Sequence, residues 1–247
     1  MKFNFNNKLV IVTGGTRGIG KKISEDLITL NADVISTGTN KEEIDLLNKK
    51  NKIDKLIYKH LNFLDKNSLD TFTKYIDSLA KIDVLINNAG INRLNEIQNY
   101  QDNDLDDMFK VNLAGPFSLT RTVSKKMIIN NYGKILNIGS IFGTISKPKR
   151  SIYTSTKSGI HGLTIGSSND LSKYNILCNT LSPGFVLTDL TKKNLSKSEL
   201  KKLEKQIPLG RLASVNDISS TAIYLTSNLN YYLTGQNIIV DGGFSNI

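Results

Sequence analysis

Short apolar runs rich in β-branched residues alternate along this chain with stretches whose apolar positions recur at helical spacing. Residues 8–13 (KLVIVT), 33–37 (DVIST), 55–63 (KLIYKHLNF), 83–86 (DVLI), 134–140 (KILNIGS), 175–181 (NILCNTL) and 236–243 (QNIIVDGG) read as strands. KKISEDLITL, KEEIDLLNKK, KNSLDTFTKYIDSLA, the region around KVNLAGPF, residues 151–174 and residues 215–226 read as the intervening helices. Near-continuous apolar strands belong to sheets covered on both faces, and strands separated by helices pair in parallel. The pattern predicts an α/β protein, a doubly wound parallel sheet of about seven strands flanked by helices. A single domain over residues 1–247 is expected, burying roughly 70–75% of its unfolded surface.

Open sheets of this kind bind ligands beyond the carboxyl ends of their strands, so the residues that follow each strand gain meaning. The first strand runs through Thr13 into GGTRGIG and then a helix, placing Gly14, Gly18 and Gly20 in a T-G-x-x-x-G-x-G loop. Missing side chains let backbone amides approach a pyrophosphate at a helix N-terminus, which makes this a Rossmann-type dinucleotide site. Where an NAD site offers a carboxylate about 20 residues later, this chain offers Ser36, Thr37, Gly38, Thr39 and Asn40, with Asp33 at the wrong end of the strand. Nothing there repels a 2′-phosphate, and Arg17 can pair with one, so NADP(H) is expected over NAD(H). Asn62 and Phe63 are placed to border an adenine, and Phe63 reads equally as a core residue. Asn88, Ala89 and Gly90 follow the fourth strand, and Pro183, Gly184, Val186 and Thr188 follow the sixth, over the cofactor.

Between residues 140 and 157 lie Ser140, Tyr153 and Lys157. The i, i+4 spacing stacks Tyr153 and Lys157 on one helix face. An ammonium there would draw a phenol of ordinary pKa ~10 toward neutrality and fit it for proton transfer. Asn112, polar within an apolar pattern, either satisfies backbone groups or holds a water for proton relay. His161 reads as a packing or interface residue and His60 as structural. Ser155, Ser158, Gly159 and Gly162 on the same helix would let a second subunit approach closely. The polar stretch at about 187–208 is the candidate substrate lid.

A composition of 39% hydrophobic and 22% charged residues describes an ordinary globular protein. The net charge of +10 raises nucleic acid as a partner, but the lysines are scattered and no basic stripe with interleaved aromatics exists. The single cysteine, Cys178, excludes an intrachain disulfide and a cysteine-built metal site, and reads as a core residue. No metal and no membrane are expected. The apolar run in MKFNFNNKLVIVTGG is too short for a signal peptide or a span, so a cytoplasmic protein is expected.

Taken together, TGGTRGIG at 13–20, NNAG at 87–90, Asn112, Ser140, the Tyr153-x-x-x-Lys157 pair and Pro183-Gly184 resemble the short-chain dehydrogenase/reductase family over essentially the whole chain. That resemblance implies a catalytic tetrad of Asn112, Ser140, Tyr153 and Lys157. It also implies cofactor contacts at Gly14, Arg17, Gly18, Ile19, Gly20, Asn88, Ala89, Gly90 and Thr188, and a homotetramer or homodimer. VISTGTN, PLGRLA and a chain ending soon after DGG are most similar to 3-oxoacyl-acyl-carrier-protein reductases, which implies a thioester carbonyl substrate. Such reductases carry basic residues near the ends of two interface helices, where this chain has Asn130, Asn131, Asn169 and Asp170. The segment Lys147-Pro148-Lys149-Arg150-Ser151-Ile152-Tyr153 also looks like that of reductases from surface-polysaccharide pathways. Its basic loop is expected to meet an anionic substrate, either a carrier-bound phosphopantetheine or a nucleotide- or acid-bearing sugar.

Overall fold

The first apolar run becomes strand β1 (Leu9–Val12), and the glycine loop passes into helix α1 (Gly18–Thr29). The alternation continues with β2 (Asp33–Gly38), α2 (Lys41–Lys50), β3 (Leu56–His60), α3 (Lys66–Ser78) and β4 (Val84–Asn87). After β4 come α4 (Asp102–Phe109), α5 (Gly115–Ile129), β5 (Gly133–Ile138), α6 (Ser151–Leu171) and β6 (Ile176–Pro183). The last elements are α7 (Lys197–Glu204), α8 (Val215–Thr226) and β7 (Asn237–Val240). The computed structural model describes residues 2–188, 191 and 196–246 of the chain. The middle of the expected lid, residues 189–190 and 192–195, therefore lies outside the described residues.

All seven strands pair in parallel, in the order β3-β2-β1-β4-β5-β6-β7. The order reverses at β1, so the loops after β1 and β4 open side by side at the carboxyl end of the sheet, as a ligand crevice requires. Strand periodicity decides the two cores. Val10 and Val12 face one cluster with Ile23 and Leu27 of α1 and Ile218 and Ala222 of α8. Ile11 faces the other with Phe72 and Ile76 of α3 and Leu119, Val123 and Met127 of α5. Both faces of the sheet are covered because most strand positions point an aliphatic side chain at one helix layer or the other. Cys178 is fully buried in the second cluster, where burial pushes its thiol up to about 12. It is the small core residue expected.

Three spans differ from the sequence pattern for local reasons. The third strand stops at His60, because Asn62 turns the chain by accepting from the Leu64 N–H. The last strand stops at Val240, because the Asp241 carboxylate draws in the N–H groups of Gly243 and Ser245. The sixth runs on through Pro183, which pairs in register with Val240. His60 is structural as expected, its ring tied to Ser68 Oγ at 3.2 Å and to the Thr39 carbonyl oxygen at 3.1 Å.

Candidate active site

The crevice is built first from backbone. Gly14 and Gly18 adopt φ of +62° and +56°, the left-handed region that glycine occupies without strain. At the start of α1, Arg17 is the N-cap but makes no side-chain cap, and the first turn carries no acidic residue. The N–H groups of that turn are thus left for an anion in a positive end-field. Thr13 Oγ1 accepts the N–H groups of Asn88 and Ala89 at 3.0 Å each, and Asn88 Nδ2 donates to the carbonyls of Thr13 and Gly14 at 2.9 and 3.0 Å. A Cβ on Gly20 would stand 2.4 Å from that Asn88 nitrogen, so the loop needs glycine there for packing as well as for ligand approach. Thr188 comes in from the β6 side, its methyl group 3.8 Å from where a Gly18 Cβ would lie.

The structure separates the expected cofactor contacts into two groups. Exposed or partly exposed around the crevice are Gly14, Arg17, Gly18, Asn62, Asn88, Ala89, Gly90, Gly184 and Thr188. Others turn inward. Thr37 is buried, with its hydroxyl accepting the Gly14 N–H at 3.3 Å, so it shapes the loop from beneath. Phe63 is core, its ring pressed on Gly115, where a Cβ would stand 2.5 Å away; the adenine-bordering expectation fails for this side chain. Ile19 and Val186 pack on the first core cluster, and Pro183 is buried in β6, which leaves only their backbones available to a ligand.

Ser140 follows β5, and Tyr153 and Lys157 share a face of α6. Ser140 Oγ accepts from the Phe142 N–H at 3.1 Å, and its hydroxyl lies near enough to that of Tyr153 to pull the phenol's pKa down. Lys157 Nζ is buried, donates to the Ile138 carbonyl at 2.8 Å and lies 5.7 Å from the Tyr153 ring centroid. Gly90 completes the pocket, since a Cβ on it would reach within 3.3 Å of Asn112 Oδ1 and 3.6 Å of Lys157 Nζ.

One expectation about this cluster is corrected. Burial raises the Tyr153 phenol above its ordinary 10.0, while the nearby Ser140 hydroxyl and the Arg150 charge pull it down. Desolvation also brings Lys157 itself down to about 8. Asn112, for its part, sits in a π-turn (Lys110–Ala114) between α4 and α5. Its side chain is engaged with protein: Oδ1 accepts from Ile91 N–H at 2.8 Å, and Nδ2 donates to Ile91 O at 2.9 Å and Thr156 Oγ1 at 3.1 Å. The amide therefore braces the chain after NNAG against α6.

Sequence reasoning missed the aromatic wall beside Tyr153. Phe142, Phe185 and Phe244 pack edge-on in series, at 5.9 and 5.0 Å between centroids, and Phe142 stands 6.5 Å from Tyr153. They come from the loops after β5, β6 and β7, and only the shared carboxyl end of the sheet brings them together. Among the described residues no group of His, Cys, Asp and Glu could hold a metal ion, and no helix is long and apolar enough to cross a membrane.

Comparison with known proteins agrees with this geometry. The family pattern described as short chain dehydrogenase matches residues 8–199. The 3-oxoacyl-acyl-carrier-protein reductase of Aquifex aeolicus is 35% identical over 247 residues, covering 98% of this chain and 99% of that one. The Escherichia coli enzyme of the same name is 32% identical over 247 residues, covering 97% and 98%. Among solved structures, a gluconate 5-dehydrogenase from Burkholderia cenocepacia in complex with NADP and tartrate superposes with a TM-score of 0.91 at 27% identity, covering 99% of this chain and 98% of that one. ElxO with NADP bound gives 0.89 at 26% identity, covering 97% and 99%. A glycine-lined crevice joined to a buried serine and lysine and a half-buried tyrosine, in a sequence matched over nearly its whole length by these enzymes, places the chain in the short-chain dehydrogenase/reductase family, as an NAD(P)-dependent oxidoreductase acting on CH–OH or C=O groups.

Proposed function

We propose that this chain catalyses NADPH-dependent reduction of a ketone to a secondary alcohol, with 3-oxoacyl thioesters and carboxylate-bearing ketones as the two substrate classes to compare. The observation that carries the reading is the convergence of Ser140, Tyr153 and Lys157 beside the glycine-loop crevice. The uncapped start of α1 and the positive-φ glycines fit a dinucleotide pyrophosphate. NADPH bound there supplies the hydride.

Ser140 donates a hydrogen bond to the substrate carbonyl oxygen and steadies the negative charge that develops on it. Tyr153 gives its phenolic proton to the same oxygen. Burial that keeps the phenol neutral suits this direction, because a proton donor must hold its proton until charge appears. Lys157 holds the nicotinamide ribose and keeps its ammonium behind the phenol, being charged below about pH 8. Asn112 is a positioning residue that fixes Ile91 and Thr156 around the pocket.

Preference for NADP(H) rests on exposed Arg17 and on the lack of a carboxylate after β2, where Asn40 instead caps α2 by accepting from the Glu43 N–H. A second reading, oxidation or reduction of a carboxylate-bearing small molecule such as a sugar acid, is favoured by two cations on the aromatic wall, Lys147 and Arg150. It is consistent with the likeness to a gluconate dehydrogenase.

Spectrophotometric NADPH oxidation with 3-oxoacyl thioesters, oxo acids, keto-sugars and diketones, repeated with NADH, tests the reading. Turnover of one class is expected with NADPH preferred, and Arg17→Ala should reduce that preference about tenfold, the worth of one charge-assisted hydrogen bond. Tight NADPH binding with no turnover across the panel would identify a nucleotide sensor instead.

A further inference from the structure

We propose that the substrate carries a carboxylate close to its reacting carbonyl, held by Arg150 and Lys147 against the wall formed by Phe142, Phe185 and Phe244; the proposal rests on the carbonyl-reductase reading. The basic loop expected to meet an anion does not act as one unit. Lys149 is exposed and turns away, its φ at +69°, its ammonium 4.0 Å from Glu96 and its carbonyl accepting from the Tyr100 hydroxyl at 3.0 Å. Lys147 and Arg150 turn the other way, onto the rings. Lys147 Nζ lies 5.0 Å from the Phe185 centroid and 4.8 Å from that of Phe244. The Arg150 guanidinium lies 4.4 Å from the Phe142 centroid.

Both cations are partly buried, and neither forms an ion pair among the described residues. Lys147 donates only to Gln206 Oε1, at 3.2 Å. Arg150 has five N–H donors in a planar fork, and among the described residues none of them meets an acceptor. Aromatic faces stabilise such charges but accept no strong hydrogen bonds, so the donors remain open to a ligand. Burial disfavours the charged form of both groups, and Arg150 pushes Lys147 further down. A bound carboxylate relieves that penalty and matches the guanidinium fork in two parallel hydrogen bonds.

Position selects the chemical class. Arg150 caps α6 three residues before Tyr153, on the same first turn, and the two groups act on each other electrostatically. An anion on Arg150 therefore lies within a few bonds of a carbonyl on Tyr153. The phosphate of a phosphopantetheine arm is many bonds removed from its thioester and does not satisfy this, whereas a 2-oxo or 3-oxo acid does.

The test is steady-state NADPH oxidation with 2-oxo and 3-oxo acids and their methyl esters, by the wild type, Arg150→Met and Lys147→Met. The wild type is expected to prefer acid to ester. Lys147→Met should lower kcat/KM for the acid roughly 10- to 100-fold through KM while changing the ester less than about threefold, and Arg150→Met, which also alters the Tyr153 phenol, should raise KM for the acid at least about tenfold more than for the ester. NADPH affinity, unchanged in both variants, reports that they fold. Equal losses for acid and ester, or a wild-type preference for the ester, overturn the proposal and leave the reductase reading standing. If no carbonyl is turned over, calorimetric binding of 2-hydroxy and 3-hydroxy acids to the NADP⁺-loaded protein reads the same two cations. Binding lost in both variants then supports the carboxylate site although the reductase reading has failed, and no binding, or binding indifferent to them, rejects it.

Discussion

At Tyr153 two effects compete for one proton. Burial raises the phenol, while the Ser140 hydroxyl and the Arg150 charge lower it. The spacing of Tyr153 and Lys157 made their shared face legible in the sequence, but not that a second cation, Arg150, would fold over Phe142 beside them. Buried lysines also give the ligand-free protein a pH signature. Lys157 and Lys134 are both brought from 10.5 to about 8, chiefly by desolvation. Between about 8 and 10.5 the unfolded chain holds more protons on these groups than the folded one, so stability rises with pH through that window and the penalty is fully present below it. Tyr153, raised by burial, works in the opposite sense above its ordinary 10.0. Urea unfolding should show stability increasing with pH above about 8, with a smaller slope in Lys134→Met; an unchanged slope would show that Lys134 is charged at no cost.

At the level of elements, the β1 and β4 ends behave as one part. Thr13 and Asn88 exchange four hydrogen bonds across the crevice with Asn88, Ala89, Thr13 and Gly14. Asn88→Ala removes two of them and leaves carbonyls of Thr13 and Gly14 short of a donor. The expected cost is about 1–3 kcal/mol, a fall of roughly 2–10 °C in Tm, together with a smaller stabilising shift on adding NADPH. Differential scanning calorimetry with and without NADPH checks this, and an unaltered shift would mean the glycine loop holds its shape alone. Most strands and helices of this protein were legible because short near-continuous apolar runs and amphipathic runs of period 3.6 alternate, whereas α7 was hidden in the polar stretch read as a lid. The π-turn at Asn112 was not legible, since one extra residue per turn leaves the apolar pattern of α4 and α5 almost unchanged. Nor was the inward turn of Thr37, because a strand's end does not announce which face its last side chains take; for Phe63 the sequence left core and adenine contact open, and the room beside Gly115 decides for core.

Over the whole molecule, the parallel sheet gathers at one edge what the sequence scatters. The glycine loop, NNAG, Ser140 and the segment after Pro183 all follow strands, and strand-end position made each a candidate before any contact was known. The aromatic wall was out of reach because Phe142, Phe185 and Phe244 share no local pattern and meet only when β5, β6 and β7 lie in order. The charge of +10 found no stripe to concentrate in; its informative part is the pair of cations beside Tyr153. The central claim is that this convergence is a proton-donating reductase site. The most direct measurement is NADPH oxidation by Tyr153→Phe, which deletes one hydroxyl and keeps the ring against Phe142. Turnover should fall by roughly 10²- to 10⁴-fold, the usual worth of a positioned general acid, with NADPH affinity unchanged within about twofold. Turnover persisting near the wild-type rate, with the variant folded and NADPH bound, would contradict the account.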